Sequence, residues 1–207
     1  LKLSQAIGLS LTPYYYYPVL VELDDDEMEE YVVISKKIGV LLAQGKDESD
    51  EFLTQLLIKR SHILNNAKNK ISVLEELLNQ EKVIQDTLIY CAPGGQINDV
   101  MHLVGVKKRI KAHRFTAEED IQTRRELLER FASRDLKVLA AMKCLDEGVD
   151  VPSTQTAYIL ASSSNPREFI QRRGRVLRKH PGKDHANIYD LITIPPPFSD
   201  LDESMLN

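Results

Sequence analysis

From Glu81 onward, short apolar segments alternate with amphipathic ones, and this alternation constrains the fold more than any other feature of the sequence. Short apolar runs are typical of buried strands, and the amphipathic stretches between them supply the crossover helices that parallel strands require. Strands are predicted at residues 87–92, 109–115, 137–141, 156–161 and 186–192, with helices at 97–104, 117–132, 142–147 and 165–173. The pattern therefore predicts an α/β domain with a parallel sheet.

Residues 11–23 form a separate segment that is rich in Tyr and Val and contains two prolines. This composition is typical of an extended arm or edge strand rather than a helix. We expect Tyr15, Tyr17 and Val19 to pack onto the body of the protein, because a tyrosine ring buries a large area. Stacking of these rings on nucleic-acid bases is the alternative.

The region between this arm and the α/β pattern is predicted to be helical. One helix is expected to run from the acidic stretch at Asp24 to about Ala43. Residues 51–80 also keep a helical period, with a break expected at Asn65-Asn66 because paired Asn disfavours a helix interior. The chain thus combines a helical extension with an α/β domain.

Composition and charge limit the classes of protein that this chain could represent. It has 207 residues, 43% of them hydrophobic, and no apolar run near the roughly 20 residues that span a bilayer, so no membrane partner is predicted. The two cysteines, Cys91 and Cys144, lie in apolar stretches and are expected to be buried free thiols, which favours a cytoplasmic (bacterial) or nucleoid-associated location. Because the chain starts at Leu1, we expect it to be a fragment of a longer protein.

The net charge is −4, but the charges are unevenly distributed. Residues 22–30 are almost wholly acidic, whereas residues 167–183 hold seven Lys or Arg residues. Within this basic cluster lies the segment Gln171-Arg172-Arg173-Gly174-Arg175-Val176-Leu177-Arg178, whose arginines at a spacing of three share one side of a helix or tight turn. Forked guanidinium groups suit phosphate oxygens. The alternative is a solvated basic face with no ligand.

This segment resembles motif VI of superfamily 2 helicases, and Glu147-Gly148-Val149-Asp150-Val151-Pro152 resembles motif V. Residues 87–91 are similar to motif IV of the same group. The residues of these motifs are most similar to those of XPB-like or restriction-translocase-like members. The resemblance implies the second of two RecA-like domains, an α/β fold whose parallel sheet is flanked by helices, with the extended arm and the helical extension at its N-terminus. The implied organisation is an arm and helical linker at 1–82, the RecA-like domain at 83–194 and a tail at 195–207.

The resemblance also implies roles for individual residues. Arg175 and Arg178 match the arginine fingers, and Gln171 matches a glutamine that reaches toward the γ-phosphate. Gly148 and Asp150 match nucleotide-binding positions. The nucleic-acid-binding positions are Arg114, Thr116, Met142 and Lys143; at Met142 family members usually have Thr, so a hydroxyl contact to the phosphate backbone is missing.

Two features of the sequence indicate that this chain works with a partner domain. Pro93-Gly94-Gly95-Gln96 lacks the spacing and the lysine of a phosphate-binding loop and is expected to be a tight turn. The chain also has no acidic magnesium motif, so no metal site is predicted. ATP and Mg²⁺ would be bound mainly by an absent N-terminal RecA-like domain of the same protein, and the isolated fragment is expected to bind no cofactor and to be inactive.

We therefore interpret the chain as half of an ATP-dependent nucleic-acid helicase or translocase. Its expected partners are single- or double-stranded nucleic acid, with DNA favoured, and the first RecA-like domain. A nucleic-acid or protein binding module with the same fold and no ATPase activity is the alternative. A Rossmann-type enzyme is disfavoured, because no glycine-rich fingerprint opens the first turn between strand and helix.

Overall fold

The structure is a computed structural model that describes residues 11–142, 151, 153–161 and 177–194. Within these ranges six strands form one sheet with the order β1-β6-β5-β2-β4-β3. The strands are β1 (Tyr14–Val21), β2 (Thr87–Tyr90), β3 (Ala112–Phe115), β4 (Val138–Ala141), β5 (Thr156–Ile159) and β6 (Ala186–Thr193). The five predicted strands and the extended arm are all present.

The strands of the sheet run parallel to one another. Thr87 lies opposite both Val138 and Thr156, so β2 is flanked by β4 and β5. At the edge, the Ala186 N–H donates to the Pro13 carbonyl and the Ile194 N–H donates to the Val21 carbonyl. Residue numbers rise together in both strands, which is the parallel arrangement. The predicted α/β class is confirmed.

Five α-helices accompany these strands in the described part of the chain. They are α1 (Asp25–Ala43), α2 (Glu51–Asn65), α3 (Asn69–Gln80), α4 (Gln96–Met101), which continues into a π-helical segment (His102–Lys107), and α5 (Ile121–Ala132). The gap between α2 and α3 confirms the break predicted at Asn65-Asn66. The helices predicted at 142–147 and 165–173 lie outside the described residues, apart from Met142.

The chain divides into two compact units, one containing the described residues of Leu1–Val19 and Ile71–Ile192 and the other those of Leu20–Lys70 and Thr193–Asn207. In the first unit, α5 covers one face of the sheet through Leu127 and Phe131, which pack with Leu88, Phe115 and Leu139. Phe131 and Phe115 are fully buried. This core makes the first unit a sheet covered by helices. The domain boundaries at 82/83 and 194/195 stay predictions.

The second unit is built on the helix pair α1 and α2. Asp24 caps α1 by accepting the Glu27 N–H, while the Glu27 carboxylate accepts the Asp24 N–H, so the acidic stretch starts the helix as expected. A buried cluster of Ile34, Ile38, Leu53 and Leu56 joins the two helices. The acidic run therefore has a structural role at a helix N-terminus.

The structure corrects the prediction for Tyr15, whereas Tyr17 packs on the sheet as expected. Tyr14 and Tyr16 pack against the buried cluster beside β6, and Tyr15 is 58% exposed. The Tyr16 hydroxyl also donates to the Asp190 carboxylate at 2.9 Å. Successive strand residues point to opposite faces, so this pairing turns Tyr15 and Tyr17 to the other side. There the Tyr17 ring stacks on Tyr189 at 4.8 Å.

Two predicted element boundaries are wrong as well. β3 begins at Ala112 rather than at Arg109, because Arg109 has a φ of 53° and is not extended. α5 begins at Ile121 rather than at residue 117, with Asp120 as the N-cap accepting the Thr123 N–H. Thr116 and Glu119 still bond to each other as in a capping box, but they close a turn before the helix.

Candidate nucleotide and nucleic-acid site

The carboxyl ends of the parallel strands place several of the predicted site residues along one edge of the sheet. Phe115 lies opposite Ala141, so the residues that follow them, Thr116 and Met142, are neighbours. Ligand sites in parallel α/β sheets occur outside this edge of the strands. The structure thus brings together the two described residues that the sequence assigned to the nucleic-acid contact after β3 and β4.

Thr116 is held in place by the turn that precedes α5. Its hydroxyl donates to the Glu119 carboxylate at 2.9 Å and its N–H donates to the same oxygen at 2.6 Å. The hydroxyl also accepts the Glu118 N–H at 3.2 Å. Thr116 is buried, with 4% of its surface exposed. A phosphate at this position would have to displace the Glu119 carboxylate, so the hydroxyl is not a ready donor in this conformation.

Met142 and Arg114 differ in what they offer to a ligand. The Met142 N–H donates to the Phe115 carbonyl at 3.3 Å, so this backbone donor extends the sheet. Arg114 lies on β3, the edge strand, and is exposed. An exposed guanidinium on an edge strand can reach a phosphate without desolvating a buried charge. Of the predicted nucleic-acid residues described by the structure, Arg114 is exposed, Met142 is half-buried and Thr116 is buried.

The turn at Pro93-Gly94-Gly95-Gln96 has the structural role expected from the sequence. Gln96 is 5% exposed, and its side-chain oxygen accepts the Ala92 N–H at 2.7 Å. Gly94 has a φ of 118°, a conformation that other residues rarely adopt. The Gln96 side chain at the start of α4 therefore bonds back to the end of the preceding strand segment, as in a plain strand-to-helix turn.

Arg178 is the one proposed finger that lies within the described ranges. Its side chain is exposed, whereas the preceding Leu177 is fully buried. Leu177 packs in a cluster with Ile159, Ala186 and Ile188 between β5 and β6. The exit from the basic segment is thus anchored to the sheet by Leu177, and the adjacent Arg178 is exposed. Gln171, Arg175, Gly148, Asp150 and Lys143 lie outside the described residues.

Lys183, a member of the basic cluster, is buried close to Arg178. Only 8% of its surface is exposed, and its Nζ donates to the Arg178 carbonyl at 3.4 Å. Burial disfavours the charged ammonium and lowers the pKa of Lys183 to about 8. The sequence showed Lys183 only as one charge of the cluster, because nothing in a local pattern distinguishes a buried lysine from an exposed one.

An ion pair at the opposite edge of the sheet had no counterpart in the sequence reasoning. The Arg134 guanidinium donates to the Asp86 carboxylate, with nitrogen-to-oxygen distances of 3.0 and 3.1 Å. The Asp86 carbonyl accepts the N–H groups of Gln155 and Thr156. Asp86 therefore ties the end of α5 to the starts of β2 and β5, and its role is structural.

Cys91 is buried, as expected, and burial raises the pKa of its thiol to about 12, so it is an inert thiol. His62 is exposed on α2. Among the residues that the structure describes, no three His, Cys, Asp or Glu side chains are grouped as a metal site would require. In the same part of the chain, every helix is too short or too polar to cross a bilayer.

Comparison with known proteins identifies relatives of the chain. The helicase conserved C-terminal domain family matches residues 69–180. The DNA 3'-5' translocase XPB2 of Sulfurisphaera tokodaii is 26% identical over 199 residues, covering 86% of this chain and 43% of that protein. The putative ATP-dependent helicase IRC3 of Saccharomyces cerevisiae is 26% identical over 192 residues, covering 91% of this chain and 27% of that protein. The chain therefore spans less than half the length of either relative.

A solved structure gives the same result for the fold. The crystal structure of the C-terminal part of the Fun30 ATPase domain has a TM-score of 0.66 to this chain at 16% identity. The match covers 88% of this chain and 86% of that one. The RecA-like α/β fold expected from the sequence is confirmed.

Proposed function

Because the chain belongs to the helicase conserved C-terminal domain family, we propose that it is the second RecA-like half of an ATP-dependent helicase or translocase. The observation that carries the proposal is the position of Arg178, the last residue of the basic segment. Arg178 is exposed beside a buried Leu177 at the sheet. An exposed arginine next to a buried anchor suits an electrostatic contact with a phosphate held by another domain.

The proposed chemistry of Arg175 and Arg178 is stabilisation of charge in phosphoryl transfer. The transition state spreads negative charge over the transferred phosphoryl group, and an arginine supplied from an opposing domain can accelerate the step by about 10³ to 10⁵. Gln171 is proposed to orient groups near the γ-phosphate, and Gly148 and Asp150 to contact the nucleotide. These roles follow from the family motifs at those positions.

The residues of this chain fit only part of an ATP site. The exposed Arg178 guanidinium suits a phosphate oxygen. The sequence lacks the glycine-rich loop with its lysine and the acidic motif that hold the phosphates and Mg²⁺ in such enzymes. We therefore propose that ATP and Mg²⁺ are held mainly by the first RecA-like domain of the same protein, and that this chain alone does not turn over ATP.

The proposed nucleic-acid contact lies along the ends of β3 and β4. Arg114 supplies an exposed charge, and Lys143 supplies a second cation next to Met142 in the sequence. The Thr116 hydroxyl joins this surface if Glu119 turns away from it. DNA is the favoured substrate, because the relative XPB2 is a DNA translocase.

The test of this function is steady-state ATPase of the full-length protein with saturating DNA. Arg175→Ala or Arg178→Ala should lower kcat by at least about 10² with little change in KM for ATP, as expected for a contact made mainly in the transition state. Arg173→Ala, in the same basic segment, is the matched control and should have far less effect. Equal, small losses at all three arginines would mean that the segment is only a basic surface.

A further inference from the structure

The N-terminal arm meets the chain where the basic segment ends. The Thr12 N–H donates to the Leu177 carbonyl at 2.7 Å, and Leu11 and Arg178 form an antiparallel bridge. These two stretches are 166 residues apart in the sequence, counted between Thr12 and Arg178. The backbone of the proposed finger is therefore paired with the arm that enters the sheet as β1.

The Arg178 carbonyl receives two further hydrogen bonds from side chains. The Thr12 hydroxyl donates to it at 3.4 Å, and Lys183 Nζ donates to it at 3.4 Å. The Lys183 N–H in turn donates to the His180 carbonyl at 3.1 Å, so the lysine lies on a closed turn. The same carbonyl is thus held by donors from the arm and from the turn before β6. Each contact is long, and together they restrict the peptide group that carries Arg178.

Buried residues anchor this junction. Thr12 is 2% exposed and Leu177 is fully buried, although Arg178 itself is exposed. Leu11 and Tyr14 of the arm pack against the cluster that contains Leu177. A fixed backbone beneath an exposed guanidinium is the arrangement that phosphoryl transfer demands, because a misplacement of about 1 Å in a catalytic group can cost about 10² in rate.

We propose that Thr12 and Lys183 are positioning residues for Arg178, the exposed arginine of the proposed finger. This inference rests on the proposed function. Neither residue contacts the nucleotide; both act by holding the Arg178 carbonyl. A shift of the arm at Thr12 would move the peptide group of Arg178 through the Thr12 hydrogen bonds.

The experiment uses the full-length protein and its DNA-stimulated ATPase. Thr12→Val keeps the shape of the side chain and removes the hydroxyl donor, and Lys183→Met keeps the aliphatic stem and removes the ammonium. Each should lower kcat by about 3- to 10-fold with KM for ATP unchanged, as expected when a group that acts in the transition state is misplaced. Thr12→Ser should keep the kcat of the native protein, because serine retains the hydroxyl group that donates the hydrogen bond. Leu20→Ala, at an exposed position of the arm, is the control and should leave kcat unchanged.

A double-mutant cycle separates positioning from general destabilisation. In an Arg178→Ala background, Thr12→Val and Lys183→Met should cause no further loss, because there is no guanidinium left to position. A further loss of the same size in that background would overturn the inference, since the residues would then act independently of Arg178.

The remaining outcomes distinguish this inference from the proposed function. If Arg178→Ala lowers kcat by about 10² while Thr12→Val and Lys183→Met leave it unchanged, the finger stands and the positioning role is wrong. If Arg178→Ala itself has no effect, the proposed function fails, and the positioning role fails with it. Because either positioning variant suffices for the comparison, misfolding of one of them leaves the test intact.

Discussion

Replacement of Arg134 by Ala should destabilise the first unit far more than a typical surface substitution. Asp86 lies in the interior with a side chain only 3% exposed, whereas the Arg134 side chain is 51% exposed. Removing Arg134 leaves a buried carboxylate without its cationic partner, a change that costs about 3–5 kcal/mol for fully buried pairs. Because Arg134 is half exposed, water reaches part of the site, and we expect about 2–3 kcal/mol.

The assay is urea and thermal unfolding of the chain, followed by circular dichroism. A loss of this size corresponds to a fall in Tm of roughly 4–12 °C for a protein of this length. Arg125→Ala is the matched control, because Arg125 pairs with Glu129 at 3.1 Å but its side chain is 82% exposed. Its removal should have little or no effect.

A second variant tests the physical reason for the loss. Asp86→Asn removes the charge and keeps a residue type that tolerates the φ of 49° at this position. In the double variant with Arg134→Ala no charge is left unpaired, so the combined loss should be smaller than the sum of the two single losses. A loss of stability in Arg134→Ala no larger than that in Arg125→Ala would contradict this prediction, as would simple addition of the Arg134→Ala and Asp86→Asn losses in the double variant.

Three further predictions concern the chain in isolation. Its ATPase activity should be negligible, because the lysine and the Mg²⁺ ligands that hold the phosphates are absent from its sequence; nucleic-acid-stimulated turnover by the purified chain would contradict this. Its binding to single-stranded DNA, measured by fluorescence anisotropy, should be weak and fall steeply with salt, since half a groove makes few phosphate contacts; tight binding that survives high salt would favour the binding-module alternative. Its Tm should rise with pH between about 8 and 10.5, because buried Lys183 loses its proton near 8 while the unfolded chain retains it to about 10.5. Lys183→Met should flatten the rise of Tm with pH, whereas Lys82→Met, at an exposed position, should not. An unchanged rise of Tm in Lys183→Met would show that Lys183 does not cause it.

Features that repeat over short distances could be predicted from the order of the residues alone. The alternation after Glu81 was enough to predict a parallel α/β sheet, because buried strands and crossover helices each leave a local pattern. Paired Asn at 65 and 66 was enough to predict the helix break. The motif sequence that ends at Arg178 was enough to indicate the family. Binding of phosphate groups restricts which residue types occur in such a motif and how they are spaced.

Features that depend on pairings between distant segments could not be predicted in this way and became visible only in the fold. Whether Tyr15 or Tyr16 enters the core depends on the register of β1 against β6. The sequence could not predict this, because both faces of the arm carry tyrosines. The capping pattern at Thr116 and Glu119 formed its hydrogen bonds without starting a helix, since Asp120 is the residue that caps α5. The contact between Thr12 and Arg178 joins residues 166 positions apart, and the pair Asp86–Arg134 joins residues 48 apart. Local preferences act over a few residues, so contacts at such separations arise only when the sheet brings the segments together.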